Sequence, residues 1–153
     1  MCRSPTAEAV FRFAAQRAGI AARLTIDSAG TGDWHVGNPP DWRAIAHGRK
    51  RGYDLSTLRA RQLTRDDFAR FDWIFAMDRP VLDTLARMRP GHHAGHLGLF
   101  LDLAPQLARR GVPDPYDRGS DVFEEVLDLV EVASEALVAR LATPGVAARA
   151  GVR

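Results

Sequence analysis

The stretch Phe71-Asp72-Trp73-Ile74-Phe75-Ala76-Met77-Asp78 decides the fold of this chain. Residues 73–77 form an apolar run without polar alternation, which is typical of a strand buried on both faces of a parallel sheet. Asp78 can cap the helix that follows, whose apolar side chains over 81–88 recur at helical spacing. A buried strand that runs directly into an amphipathic helix predicts an α/β fold.

The same alternation of helices and strands extends over most of the chain. The further predicted elements are a helix from Ser4 to Gly19, a strand over 24–28, a helix over about 40–51, a short helix opened by Thr64 and Asp67, a strand over 97–101, and a long helix to Leu141 that begins with Asp121 and Glu124 at capping-box spacing. This order predicts a three-layer sandwich around a central parallel sheet. We expect one domain over residues 1–142 and a mobile tail over 143–153.

Composition excludes several classes of protein. Of the 153 residues, 46% are apolar and 26% charged, and no window offers the ~18 uncharged apolar residues of a membrane helix. No signal peptide is visible, so the cytoplasm is the expected location. The net charge is only +2 and the sequence contains no long run of basic residues, so neither a nucleic-acid nor a membrane partner is predicted. The single cysteine, Cys2, excludes an internal disulfide and a cysteine-based metal cluster.

The first residues of the chain are suited to anion binding. In Cys2-Arg3-Ser4-Pro5, Ser4 suits a helix N-cap and Pro5 the first helical position. A helix N-terminus attracts anions, and Arg3 adds a planar charged fork that matches phosphate oxygens. Taken alone, these four residues favour an ordinary capped helix beside a surface arginine, because such caps are common.

Several separated segments resemble the low-molecular-weight protein tyrosine phosphatase family. Its signature loop is Cys-x-Gly-Asn-x-Cys-Arg-Ser-Pro, and Cys2-Arg3-Ser4-Pro5 is similar to the last four positions. Further similar segments follow in the family's order, at residues 7–9, 27–31, 33–37, 59–63, 72–78 and 112–116. The resemblance implies a phosphotyrosine phosphatase I-like sandwich that hydrolyses phosphotyrosine in proteins, or small aryl phosphates, without metal or cofactor.

The resemblance also implies roles for individual residues. Arg3 grips the phosphoryl oxygens, Ser4 helps to hold the nucleophile as a thiolate, and Asp114 is the general acid, a task that suits a carboxyl group beside a departing phenolate. Cys2, Trp34 and Tyr116 belong to the substrate-binding residues, the last two as aromatic walls of the pocket. Asp117 stands where many relatives have a second aromatic residue, and Leu58 where some have a histidine.

The family's nucleophile is the first cysteine of the signature loop, five residues before Cys2, and the sequence offers no residue for this position. We therefore expect that Met1 is not the natural start, that the first strand of the sheet is missing, and that the 153-residue chain is inactive. Cys2 is adjacent to Arg3, so the two cannot wrap a phosphate between them, although the arginine and the helix N-terminus are expected to lower the thiol pKa.

Three alternatives remain open. The chain can be a truncated fragment that binds anions without turnover, a phosphoarginine phosphatase, or an arsenate reductase on the same fold, although the last needs more cysteines than Cys2. His92, His93 and His96 raise a metal site as a further hypothesis. They lie in a predicted loop without a cysteine or helical glutamate beside them, so solvated histidines and no metal are expected.

Overall fold

The computed structural model describes residues 2–143 and the backbone of residues 150–152. The helices are α1 (Arg3–Arg17), α2 (Trp42–Lys50), α3 (Asp67–Arg70), α4 (Arg79–Met88) and α5 (Ser120–Leu141), with short 3-10 turns at Ala21–Arg23, Phe100–Leu103 and Pro105–Leu107. The strands are β1 (Trp73–Ala76), β2 (His96–Leu99) and β3 (Ala150–Val152).

The described strands form one parallel sheet in the order β2-β1-β3. Trp73 stands opposite His96 on one side and Ala150 on the other. The parallel sheet predicted from the apolar run is confirmed. Because β1 lies in the middle, both of its backbone edges are paired, and its side chains are covered from above and below.

The two faces of β1 pack against different helices. Phe75 belongs to the larger apolar core, which includes residues of α1 and α5, and Ile74 belongs to a second core with Phe68 of α3 and Leu85 of α4. Phe75 and Ile74 are both fully buried, as successive side chains of a central strand must be when each face is covered. The arrangement is the predicted three-layer α/β sandwich.

The helix ends follow mostly local signals. Gly19 and Gly52 take positive φ angles of +70° and +88° directly after α1 and α2, and the Asp78 carboxylate accepts a hydrogen bond from the Val81 amide at 3.0 Å at the start of α4. The start of α1 differs from the prediction. Thr6 donates to the Cys2 carbonyl through both its amide and its hydroxyl, so Cys2 is the N-cap and the helix begins at Arg3, two residues earlier than a cap at Ser4 would place it.

Two predicted features are wrong. Residues 24–28 do not form a strand, because only Asp27 among them takes part in a bridge and the Ile26 carbonyl accepts a side-chain hydrogen bond from Arg12. The next bridge is at Gly30, which pairs with Gln62. The expected capping box of α5 is also absent, since Gly119 is the N-cap and the Glu124 carboxylate instead receives Arg51 of the loop after α2.

Part of the chain after α5, where a mobile tail is expected, belongs to the sheet. Ala150–Val152 pairs in parallel with β1 through a regular register, on the side opposite β2. Residues 144–149 and 153 lie outside the described part of the chain. The boundary of the domain at residue 142 stays a prediction.

Candidate active site

A cavity of about 750 Å³ opens where β1 ends and α1 begins. In a parallel α/β sandwich, ligands bind at the carboxyl ends of the strands, where loops meet helix N-termini. The residues that sequence reasoning assigned to the site all line this cavity: Cys2, Arg3, Ser4, Trp34, Asp114 and Tyr116. Residues distant in sequence are therefore brought together at one cavity, and their individual roles remain proposals.

Arg3 is held firmly through one of its nitrogens. Its Nη1 donates to the Asp78 carboxylate at 2.5 Å and to the Val112 carbonyl at 2.9 Å. The side chain is 17% exposed, and among the described residues no hydrogen bond engages its Nε or Nη2. Arginine offers five donors in a rigid fork, so the fixed guanidinium keeps donors for an anion in the cavity.

Sequence reasoning missed Asp78 as the partner of Arg3. Asp78 was predicted only as the cap of α4, but its two carboxylate oxygens have different partners. Oδ1 accepts from the Val81 amide, and Oδ2 accepts from Arg3. The available signal was its position directly after the buried strand, at the edge of the sheet where loops gather. What the sequence cannot show is that α1 begins within reach of it.

Asp114 lies next to Arg3 in the wall of the cavity. Its Oδ2 lies 3.9 Å from Arg3 Nη2, and its Oδ1 accepts a hydrogen bond from the Tyr116 amide at 3.1 Å. The carboxylate is 61% exposed. Its loop is attached to the sheet because the Val112 amide donates to the Met77 carbonyl at the end of β1. The buried Val112 thus anchors a loop on which Asp114 remains accessible to solvent.

Cys2 is buried beside the cavity in a small apolar cluster that includes Ala44, Leu55 and Phe123. Burial, with a further contribution from the negative charge of Asp41, raises the pKa of the Cys2 thiol to about 11. The expectation of a lowered thiol pKa was wrong, because desolvation outweighs the attraction of nearby positive charge. Cys2 therefore stays a neutral thiol at physiological pH.

Ser4 lies one residue after Arg3 in the first turn of α1 and lines the cavity. Within residues 2–143 its hydroxyl has no hydrogen-bond partner. The hydroxyl can serve a ligand in the cavity, and its predicted role beside a thiolate is neither supported nor opposed by a contact in the structure.

Aromatic side chains form the rim of the cavity. Trp34 is 75% exposed and Tyr116 49%, and the indole of Trp34 lies so close over Gly32 that any side chain at that position would collide with it. Asp117 and Leu58, the two departures from the family pattern, also line the cavity. The rim can take a flat apolar group without enclosing it.

A buried glutamate that sequence reasoning did not single out as functional holds one wall of the cavity. Glu8 of α1 accepts a hydrogen bond from the Ser28 hydroxyl at 2.5 Å, and its other oxygen receives Arg12 at 2.6 Å. Ser28 begins the loop that leads to Trp34 and itself lines the cavity. Because a buried carboxylate needs such partners, this arrangement fixes the loop to α1.

The three histidines raised as a possible metal site differ in their surroundings. Within the described residues no group of three or more metal-ligating side chains occurs. His93 is buried and packs edge-on against Phe68, and His96 lies at the start of β2 against Trp73. The expectation that all three histidines are solvated was wrong for His93, whose ring packs against apolar side chains.

Within the described residues, no helix is long and apolar enough to cross a membrane.

These features define a class of site. A fixed arginine at a helix N-terminus, an accessible carboxyl group 3.9 Å from it, and an aromatic rim together suit an aryl phosphate ester.

Comparisons with known proteins agree with this class. The sequence profile of the family described as low molecular weight phosphotyrosine protein phosphatase matches residues 1–146. A protein of that name from Schizosaccharomyces pombe is 47% identical over 124 residues, which cover 80% of this chain and 79% of the relative. The low molecular weight protein-tyrosine-phosphatase YfkJ of Bacillus subtilis is 38% identical over 92% of this chain and 89% of its own.

Solved structures give the same result. The crystal structure of YfkJ superimposes with a TM-score of 0.87 at 36% identity, over 95% of this chain and 90% of that one. A protein tyrosine phosphatase from Entamoeba histolytica gives a TM-score of 0.88 at 34% identity, over 95% and 92%. The chain therefore belongs to the low molecular weight phosphotyrosine protein phosphatase family.

Proposed function

We propose that the cavity binds phosphotyrosine with its phosphoryl group on Arg3 and its ring between Trp34 and Tyr116. The observation that carries the proposal is the set of contacts of Arg3. Within the described residues its guanidinium makes hydrogen bonds only through Nη1, and Nη2 lies 3.9 Å from Asp114 with its donors free for an anion. A guanidinium in this position matches the charge that develops on phosphoryl oxygens during transfer. The aromatic rim favours an aryl ester over an alkyl one.

Asp114 is proposed as the general acid and base. In the first step a cysteine thiolate attacks phosphorus, the bond from phosphorus to the phenolic oxygen breaks, and the Asp114 carboxyl proton goes to that oxygen. In the second step the Asp114 carboxylate takes a proton from water, whose oxygen attacks the phosphocysteine. Phosphate leaves, and the thiolate is regenerated.

Cys2 does not fit the role of that nucleophile. It is adjacent to Arg3 in sequence, it is buried, and its pKa of about 11 keeps it protonated. The reaction instead requires a thiolate five positions ahead of Cys2, a position that none of the 153 residues occupies. Among these residues the proposed site has its phosphate-binding and acid groups but not its nucleophile.

A second candidate function follows from the same observation. With Cys2 protonated and no other cysteine in the sequence, the 153-residue chain can bind phosphate esters without hydrolysing them. Phosphoarginine as substrate is less well supported, because a ring-shaped leaving group suits the exposed faces of Trp34 and Tyr116 better than a flexible guanidinium chain.

The test is hydrolysis of p-nitrophenyl phosphate by two chains. One is the 153-residue chain, and the other carries a grafted strand and a Cys-x-Gly-Asn segment ahead of Met1. We expect no turnover by the first and turnover by the second, abolished when the grafted cysteine is changed to serine and retained in Cys2→Ser. Equal turnover by both chains contradicts the assignment, and binding without turnover by both favours the second candidate.

The proposed partners are phosphotyrosine-containing proteins or small aryl phosphates, in the cytoplasm. A single buried thiol and no disulfide suit a reducing compartment. Fractionation of cells that express a tagged chain checks the location, and enrichment in a membrane or secreted fraction would count against it.

A further inference from the structure

A second arginine, outside the cavity, connects α2 to the loop that carries Asp114. Arg43 donates through Nη2 to the Tyr116 backbone carbonyl at 2.8 Å. Its guanidinium carbon also lies 5.8 Å from the centre of the Tyr116 ring, within the range of cation–π attraction. Tyr116 in turn donates its amide to Asp114, so one residue separates Arg43 from the proposed acid.

The guanidinium of Arg43 is also held by Asp41, which shares the Nη2 atom with the Tyr116 carbonyl. Asp41 binds it with both carboxylate oxygens, at 3.0 Å to Nε and 2.7 Å to Nη2, and also accepts from the Arg43 amide as the N-cap of α2. These bonds hold the pKa of Asp41 below its usual range. A bidentate pair of this kind leaves the arginine little rotational freedom.

A third support comes from α5. The Arg43 guanidinium lies 5.0 Å from the ring centre of Phe123, whose ring stacks on His47 with an interplanar angle of 8°. His47 is bonded through its two ring nitrogens to Glu124 and Ser120. The cation therefore rests on an aromatic surface that both α2 and α5 hold in place.

We propose that Arg43 is a positioning residue, which sets the conformation of the loop over residues 112–118 and so places the Tyr116 ring and the Asp114 carboxylate relative to Arg3. The expected consequence, selective binding of aryl phosphates, rests on the proposed function. Asp114 is more than half exposed, and the Val112 anchor fixes the start of the loop. Arg43 supplies a second point of attachment on the far side of Asp114.

Substitution of Arg43 separates its charge from its geometry. Arg43→Gln removes the cation, and Arg43→Lys keeps a charge but cannot hold Asp41 and the Tyr116 carbonyl with one planar fork. Arg79→Gln is the matched control, since Arg79 makes an exposed ion pair with Asp83 on α4 and does not line the cavity.

The first readout is amide hydrogen exchange of the 153-residue chain without ligand. We expect faster exchange over residues 112–118 in Arg43→Gln, an intermediate effect in Arg43→Lys, and no change in α1 or in the Arg79→Gln control. Unchanged exchange over 112–118 in Arg43→Gln overturns the inference. Faster exchange throughout the protein also overturns it, because the effect is then a general loss of stability.

The second readout is the ratio of affinities for benzylphosphonate and inorganic phosphate. We expect Arg43→Gln to lower the affinity for benzylphosphonate by about tenfold, as for loss of a charge-assisted hydrogen bond. The affinity for phosphate, which needs only Arg3, should stay nearly unchanged. An equal loss for both ligands overturns the positioning role. If the unchanged chain binds neither ligand, the proposed function fails, while the exchange experiment still decides whether Arg43 positions the loop.

Discussion

The two charged sides of the cavity, around Arg3 and around Asp114, differ in how the fold holds them. Arg3 is mostly buried, starts α1, and is tied to Asp78 at the end of the central strand. Asp114 is largely exposed on a loop that is attached by the Val112 backbone and by side chains such as Arg43. Arg3, which carries a permanent charge, is anchored in the core. Asp114, which in the proposed reaction exchanges protons with ligand and water, remains accessible to solvent.

This difference predicts that changes on the Arg3 side alter both binding and stability, whereas changes on the Asp114 side alter chemistry with little effect on stability. The first prediction concerns Arg3 itself. Arg3→Ala removes the fixed donors of the cavity, and we expect benzylphosphonate to bind about a thousandfold more weakly, since at least two charge-assisted hydrogen bonds are lost.

Calorimetric titration of the 153-residue chain measures this effect, with Arg79→Gln as the control that keeps full affinity. An Arg3→Ala variant that binds within about threefold of the unchanged chain would place the anion elsewhere and break the comparison.

The second prediction concerns the pH dependence of Cys2, next to Arg3. The pKa of about 11, against an ordinary 9.0, lowers the thiolate fraction at neutral pH by about a hundredfold. We expect alkylation by iodoacetamide, followed by mass spectrometry, to be slower than in urea by at least about that factor, and to accelerate with pH beyond pH 10. A plateau near pH 9 would show an unperturbed, accessible thiol.

The sign of the linked stability effect follows from the same shift. Because the folded pKa lies above the unfolded one, the neutral thiol stabilises the fold fully below about pH 9 and this contribution is lost as the pH rises toward 11. Replacement of Cys2 by alanine should remove that part of the alkaline decline in the free energy of unfolding.

The third prediction concerns Asp78. Asp78→Asn keeps an oxygen that can cap α4 but removes the charge that Arg3 faces, and we expect the free energy of unfolding to fall by about 1–2 kcal/mol. Urea denaturation measures it. Asp83→Asn, which breaks the exposed pair with Arg79 on the same helix, is the control and should change stability by less than about 0.5 kcal/mol. Equal effects of the two variants would mean that the Arg3 side is no more firmly built than the surface.

The smallest expected effect is that of Asp114→Asn on binding. Removal of a negative charge 3.9 Å from Arg3 should raise the affinity for benzylphosphonate about twofold to fivefold, because the carboxylate repels the phosphonate dianion through solvent. Stability should stay within about 0.5 kcal/mol of the unchanged chain. A clear loss of stability would show that Asp114 is structural and would remove the contrast between the two sides.

The sequence predicted the parts of this molecule that depend on local patterns. The apolar run of β1, the glycines after α1 and α2, and the Asp78 cap are each encoded within a few residues, and the structure confirms them. Residues 24–28 have the composition of a strand but lack a continuous ladder, and composition does not reveal the partner. The same reason explains Glu124, which has capping-box spacing but binds Arg51 across the domain.

The candidate site divides in the same way. Arg3, Asp114, Trp34 and Tyr116 were found because they stand in segments that resemble a known family, and the structure gathers them at one cavity. The Arg3–Asp78 pair, the link from Arg43 to Tyr116, and the raised pKa of Cys2 were not predicted. Each depends on packing between elements far apart in the chain, and burial in particular reversed the expected direction of the thiol pKa.

The most direct test of the central claim is to follow the side-chain Nε–H signal of Arg3 by NMR while benzylphosphonate is added to the 153-residue chain. We predict that this signal and the Tyr116 amide shift together and saturate at the same ligand concentration, since one ligand spans the arginine and the aromatic rim. Saturable binding that leaves the Arg3 signal unmoved would contradict the assignment of this cavity as the phosphate site.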